Sequence, residues 1–246
     1  MSGKIAKIVA LILQIVCTVS LLGICVQGFF LDTYWLNHIE FAECAIRVIF
    51  ISVFTASYYH SLAGGFGSDT FFIPIHLFFS VLSEARILDT YSKIFHAYLV
   101  PPVQIVNIFI FSTIMAVLPL IGYCIFFDNP SSDSAVRYIL LGTVGTFLLT
   151  SVIPKTQNYT NIWDCIPVKI IIYGIYIIAF TVCLIMLFTD TPGPTLMRHL
   201  ICLILVIGNY INLFFNTFVM NLIGTAFLIS ACVIIMIMTK RNAIKL

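Results

Sequence analysis

From Ile8 to Phe30 the chain carries no charged residue, and comparable apolar runs recur through to its last segment. That repetition constrains the fold more than any motif. A hydrocarbon core about 30 Å thick is crossed by roughly 20 apolar residues in an α-helix, and no water is present there to satisfy an open backbone. The strands of a membrane barrel would alternate over about ten residues, with polar turns between them; these runs are continuous. Only 9% of the 246 residues are charged and 61% are hydrophobic, whereas soluble domains carry roughly 25% charged residues. The expected class is all-α, a polytopic integral membrane helix bundle. Residues 1–246 are expected to form a single transmembrane domain with no soluble domain.

The runs place helices over 7–30, 42–62, 71–91, 103–127, 138–153, 167–189, 198–215 and 221–239. A single helix over 198–239 would be ~60 Å long, about twice the hydrocarbon thickness. The chain therefore has to fold back within "LFFNTFVMNLIG" (213–224). About eight transmembrane helices put both termini on one side. With that side cytoplasmic, Lys4, Lys7, Arg137, Arg198, Lys240, Arg241 and Lys245 lie inside. Arg86, Lys93, Lys155 and Lys169 lie outside, and Arg47 falls within a helix. This bias follows the positive-inside rule, and the expected location is the plasma (inner) membrane. Trp35 and Trp163 fall in the outer loops, where tryptophan anchors at the interface. "NYT" (158–160) is a glycosylation pattern on the same side. The first run outlasts the core of a signal peptide and reads as an uncleaved membrane helix.

A net charge of +2 offers no surface for nucleic acid. The eight cysteines include no CxxC pair and no metal-like spacing, so neither a metal nor another cofactor is expected. Cys44 and Cys165 fall toward one face, where a disulfide could form. "AGGFGSDT" (63–70) lacks the Lys-Ser/Thr of a phosphate loop and reads as a turn. "VPPVQ" (100–104) breaks the chain before the next helix. Pro119 is expected to kink that helix, with neighbours satisfying the freed carbonyl. No internal repeat of the kind found in many transporters is visible.

The polar residues are unevenly placed. "FAECAIRVIF" (41–50) puts Glu43 four residues before Arg47, the favourable order for a helical pair, and Glu40 shares their face. The next helix runs back and ends "SEARILDTYSK" (83–93), which brings Glu84, Arg86 and Asp89 to a similar depth. A lone charge at a helix centre costs about 2.5–3.5 kcal/mol on insertion scales. Arg47 is therefore expected to be neutralised by Glu43 and Glu84, across two helices. "GNYINLFFN" (208–216) adds a stripe of Asn209, Asn212 and Asn216, and Gln104 and Asn107 open another helix on the outer side. His76, Ser80 and Glu84 repeat every four residues. Simpler roles compete: a structural ion-pair network, a snorkelling Arg86, and asparagines bonding helix to helix. His38, His60, His96 and His199 are scattered and form no ligand set.

Two functions fit this pattern. The first is a non-enzymatic multi-pass membrane protein, a ligand-, lipid- or partner-binding module. Its polar site in the outer half would comprise Glu43, Arg47, Glu84, Arg86, Asn209 and Asn212. Its partners beyond the lipid bilayer would be other membrane subunits or a small polar ligand. The alternative is a small proton-coupled secondary transporter, with His76, Ser80 and Glu84 as the proton path. Glu43-x-x-x-Arg47 and Phe72-x-x-x-His76 weakly resemble motifs of the CAAX-type intramembrane proteases. That resemblance implies paired glutamates and a later His-x-x-x-Asn/Asp. Here Ala42 stands in place of the first glutamate, and neither His96 nor His199 is followed at +4 by Asn or Asp. Glu43 and His76 also fall toward opposite faces, too far apart to activate one water. These departures argue against the protease assignment, which ranks behind the other two readings, and no catalytic residue is expected.

Overall fold

A computed structural model describes the backbone over residues 2–31, 35–61, 68–96, 99–126, 132–153, 166–189, 194–214 and 217–244. Outside these lie Trp163, the 158–160 pattern, Lys155, Cys165, Asn216 and most of the 63–70 turn, as do the side chains of Trp35, Lys4, Lys7, Lys240, Arg241 and Lys245. The proposed Cys44–Cys165 bridge therefore has one partner outside the described residues; Cys44 is a buried free thiol.

The described residues are almost all helical: α1 (Ser2–Leu31), α2 (Trp35–Ser61), α3 (Ser68–Ser83), α4 (Ile87–Phe95), α5 (Pro102–Ile125), α6 (Ser132–Val152), α7 (Ile166–Thr189), α8 (Pro194–Phe214) and α9 (Phe218–Ile244). A tight 3-10 turn, Glu84–Arg86, joins α3 and α4 within a single apolar span, Phe71–Phe95. The result is a polytopic helical bundle in which, among the described residues, seven helical spans are long and apolar enough to cross a membrane. The long helix outside that set is α2, which carries Glu40, Glu43 and Arg47.

The largest boundary differences from the sequence expectation are at the starts of α2 and α6. Trp35 begins α2 rather than sitting in a loop, because no glycine or proline interrupts 35–41 and Phe41 becomes fully buried. The helix expected at 138–153 begins at Ser132, with Asp133 in its first turn, where a carboxylate suits the positive end of the helix dipole. The break after α4 follows the sequence more closely. His96 adopts the left-handed conformation (φ 49°) as the C-cap, and Pro101 and Pro102 then occupy the N-cap and first turn of α5.

Cross-bundle contacts fix which helix ends lie together. The Tyr91 hydroxyl of α4 donates to Gln27 near the end of α1, at 3.3 Å. Thr90 donates to Glu40 near the start of α2, at 3.1 Å. Arg86 reaches the end of α8, and Asn221 at the start of α9 reaches Glu43. The start of α1 and the end of α9 therefore lie together at the opposite end. Phe72, Phe126 and Tyr138 cluster toward that opposite end, from the start of α3, the end of α5 and the start of α6.

In the centre runs α5. Of its most apolar 18-residue stretch 72% is buried, against 17% for those of α1 and α6. Pro119 lacks the N–H that would bond Met115's carbonyl, and side chains from two other helices donate to carbonyls beside it. His76 Nδ1 of α3 donates to Ala116 O at 2.7 Å, and the Tyr138 hydroxyl of α6 donates to Leu118 O at 3.0 Å. The pair α8 and α9 closes on two glycines. A Cβ placed on Gly208 would stand 3.0 Å from Gly224 O, and one on Gly224 would stand 2.9 Å from Gly208 O. Small residues permit this backbone approach in membrane helices.

Candidate functional site

Arg47 lies ~18 Å along α2 from Trp35, at 1.5 Å per residue. Its guanidinium grips Glu84 with two parallel bonds, Nε to Oε1 at 2.9 Å and Nη2 to Oε2 at 3.0 Å. Such forked pairs are the strongest of the common side-chain bonds. Glu43, one helical turn before Arg47, approaches its Nη1 at 3.7 Å. Arg86 Nε stands 3.6 Å from Glu84 Oε2, and Arg86 Nη2 donates to the backbone oxygen of Asn212 at 3.2 Å. Two positive and two negative groups thus form one closed, neutral quartet, with Arg47 and Glu84 both buried.

Glu84 and Arg86 are two residues apart, and side chains at that spacing do not face each other on an α-helix. The tighter winding of the 84–86 turn and the length of the arginine bring them to the same place. Asp89 does not join them: it pairs at 2.6 Å with Lys93, one turn on. Glu40 is held by Thr90 instead.

Beside the quartet lies a cavity of ≈ 20 Å³, lined in part by Ser80, Glu84, Arg86, Thr113, Asn209 and Asn212. A water needs about 10–15 Å³ by this measure, so the space is molecular but small. Thr113 Oγ1, Asn209 Nδ2 and both polar atoms of the Asn212 side chain are buried with no hydrogen-bond partner. Thr113 is 3% exposed and Asn212 6%. Buried polar groups are normally paired; Asn212 Oδ1 faces Gly224 of α9, and the other three atoms are left unpaired on residues that line this space. Tyr176 of α7 closes the cavity from the side.

The sequence-derived residues divide. Arg47, Glu84, Arg86, Asn209 and Asn212 line the cavity, while Glu43 supports it from behind Arg47. Ser80 lines it too, but the Ser80 hydroxyl donates backward to His76 O at 2.8 Å. The His76 ring points to α5 and bonds Ala116 O, so His76 lies off the cavity lining. Asn107 Oδ1 is a further buried unpaired atom, away from this cavity. Sequence reading missed Thr113 and Tyr176, which look like ordinary members of apolar helices. Asn221 lies in the 213–224 fold-back stretch and was not singled out by the sequence, yet its Nδ2 donates to Glu43 Oε2 at 2.7 Å. A hydrogen bond to a charged group contributes about 1.5–3 kcal/mol. Asn221→Leu is therefore expected to lower stability by that amount, read from the unfolding midpoint of the purified protein in micelles.

Among the described residues no three His, Cys, Asp or Glu side chains gather closely enough to hold a metal ion. Comparison with protein-family models, curated proteins and solved structures finds no match for this chain.

Proposed function

We propose that this multi-pass membrane protein is a non-enzymatic binding module, whose site in the outer half of the bundle recognises a hydrogen-bonding group on a small ligand. The observation that carries this reading is the set of unpartnered polar atoms on Thr113, Asn209 and Asn212 around one cavity. The neighbouring charges satisfy one another and act as a rigid wall; the amides and the threonine hydroxyl are left to contact something else. Proton-coupled transport is the second reading, favoured by Ser80 and Glu84 on that cavity. It is weakened because the His76 and Ser80 side chains donate to backbone oxygens rather than along the stripe.

Mass spectrometry of species released from protein purified out of native membranes tests the binding reading. Recovery of one species is expected to fall about tenfold in Thr113→Val and Asn209→Leu, equivalent to about 1.4 kcal/mol, while both variants keep the wild-type melting profile. Undiminished recovery from well-folded variants overturns it. Proton flux in reconstituted vesicles that disappears in Glu84→Gln would establish transport instead.

A further inference from the structure

On the far side of Tyr176 a second space opens, a groove of ≈ 280 Å³ between α7 and α8. Tyr173, Tyr176, Phe180, Val206 and Tyr210 form most of its lining. The groove is apolar and its rim is exposed on the bundle's lipid-facing side, where Ile177 is 65% and Phe180 41% exposed. The polar cavity and the apolar groove share one residue, Tyr176. Its ring meets Tyr210, on the groove lining, edge-on at 5.6 Å. On α8, Val206 and Tyr210 face the groove while Asn209, between them in sequence, faces the cavity.

We infer that the two spaces form one site for a single-chain amphiphile with an uncharged, hydroxyl-sized head, entering from the lipid phase between α7 and α8. This rests on the binding-module reading above and names its ligand class. The chain lies in the aromatic groove, and the head passes Tyr176 into the cavity when that ring turns aside. Head chemistry follows from charge and size. Glu43, Arg47, Glu84 and Arg86 already balance, so an ionised carboxylate, phosphate or ammonium would be a buried charge without a counter-ion, which is strongly unfavourable. The free donors are Asn209 Nδ2 and Asn212 Nδ2, and the Thr113 hydroxyl serves as donor or acceptor; Asn212 Oδ1 is turned to Gly224 of α9 instead. A group that both donates and accepts, and fits a space of ≈ 20 Å³, is a hydroxyl.

The test uses the intact protein in nanodiscs with three photoreactive probes of equal chain length: a long-chain alcohol, the matching ionised fatty acid, and the matching alkyltrimethylammonium. The alcohol is expected to label α7 and α8 around Phe180 and Val206 at least tenfold more than either charged probe. Thr113→Val and Asn212→Leu should each reduce alcohol labelling about tenfold. Two variants are needed because Asn212 also packs against α9. Equal labelling by all three probes, or alcohol labelling unchanged in a folded Thr113→Val protein, overturns the inference. If a water-soluble species is instead lost from Thr113→Val, the amphiphile is excluded while the binding module stands. If every bound species is retained, both fail.

Discussion

Glu84→Ala is expected to destabilise the bundle by about 3–5 kcal/mol, the cost of stripping a buried ion of its partner. Arg47 is 5% exposed and Glu84 7%, so no solvent is at hand to replace the lost carboxylate. Glu43, at 3.7 Å and itself bonded by Asn221, is the remaining counter-charge. Arg86 would then share a desolvated space with Arg47, and two like charges would face one carboxylate. Arg47→Ala should cost a similar amount for the complementary reason: Glu84 would be left with Arg86 at 3.6 Å. The double variant Arg47→Met, Glu84→Leu removes both charges and fills the volume, and it is expected to recover most of the loss. Buried ion pairs are often matched in stability by well-packed apolar residues. Unfolding of the wild type, Arg47→Met, Glu84→Leu and their double variant in mixed micelles gives a double-mutant cycle with a coupling energy of about 2 kcal/mol or more. A single variant that loses less than about 1 kcal/mol would show the pair to be solvated, as exposed ion pairs are, and would dismantle the account of the quartet.

The bundle was legible because the physics of a bilayer acts on composition. Continuous apolar runs such as Ile8–Phe30 admit one solution, and the fold-back within 213–224 followed from length alone. Arg47 and Glu84 were legible for the same reason, since two charges on consecutive spans have few ways to avoid lipid. Residues whose role depends on a distant neighbour were not. Thr113 sits in "IFSTIMAV" among apolar residues, and only the crossing of α5 with α3 and α8 turns it toward the cavity. Tyr176 matters because it stands between two spaces, which no local pattern encodes. The 3-10 turn at 84–86 was hidden because "SEARILD" has the residues of an ordinary helix; tertiary contacts on Glu84 and Arg86 accompany the tighter winding. His76 is a different case: its four-residue spacing from Ser80 suggested a relay, whereas its Nδ1 bonds Ala116 O beside Pro119.

The packing of α8 on α9 leads to the second large effect: Gly224→Val is expected to cost about 3 kcal/mol and to damage the site as well as the fold. A Cβ at 224 would fall against Asn212 Oδ1 and stand 2.9 Å from Gly208 O. The second of these is backbone, which cannot rotate away, so relief requires the helices to part. Overpacking of this kind costs about 1–3 kcal/mol and more when nothing can yield. Parting α8 from α9 moves Asn212 off the cavity. It also carries off Asn221, one turn before Gly224, loosening its 2.7 Å bond to Glu43. The penalties of Gly224→Val and Asn221→Leu should therefore be less than additive, as expected for residues sharing one contact. Gly145→Ala is the control: nothing lies within 4 Å of its added methyl, and replacing a helical glycine there should gain about 0.5–1 kcal/mol. Thermal unfolding of the three single variants and the 221/224 double variant separates the cases. If Gly224→Val melts with the wild type, or its effect simply adds to that of Asn221→Leu, the α8–α9 contact does not position the asparagines, and the cavity must be held by α2, α3, the 84–86 turn, α5 and α7.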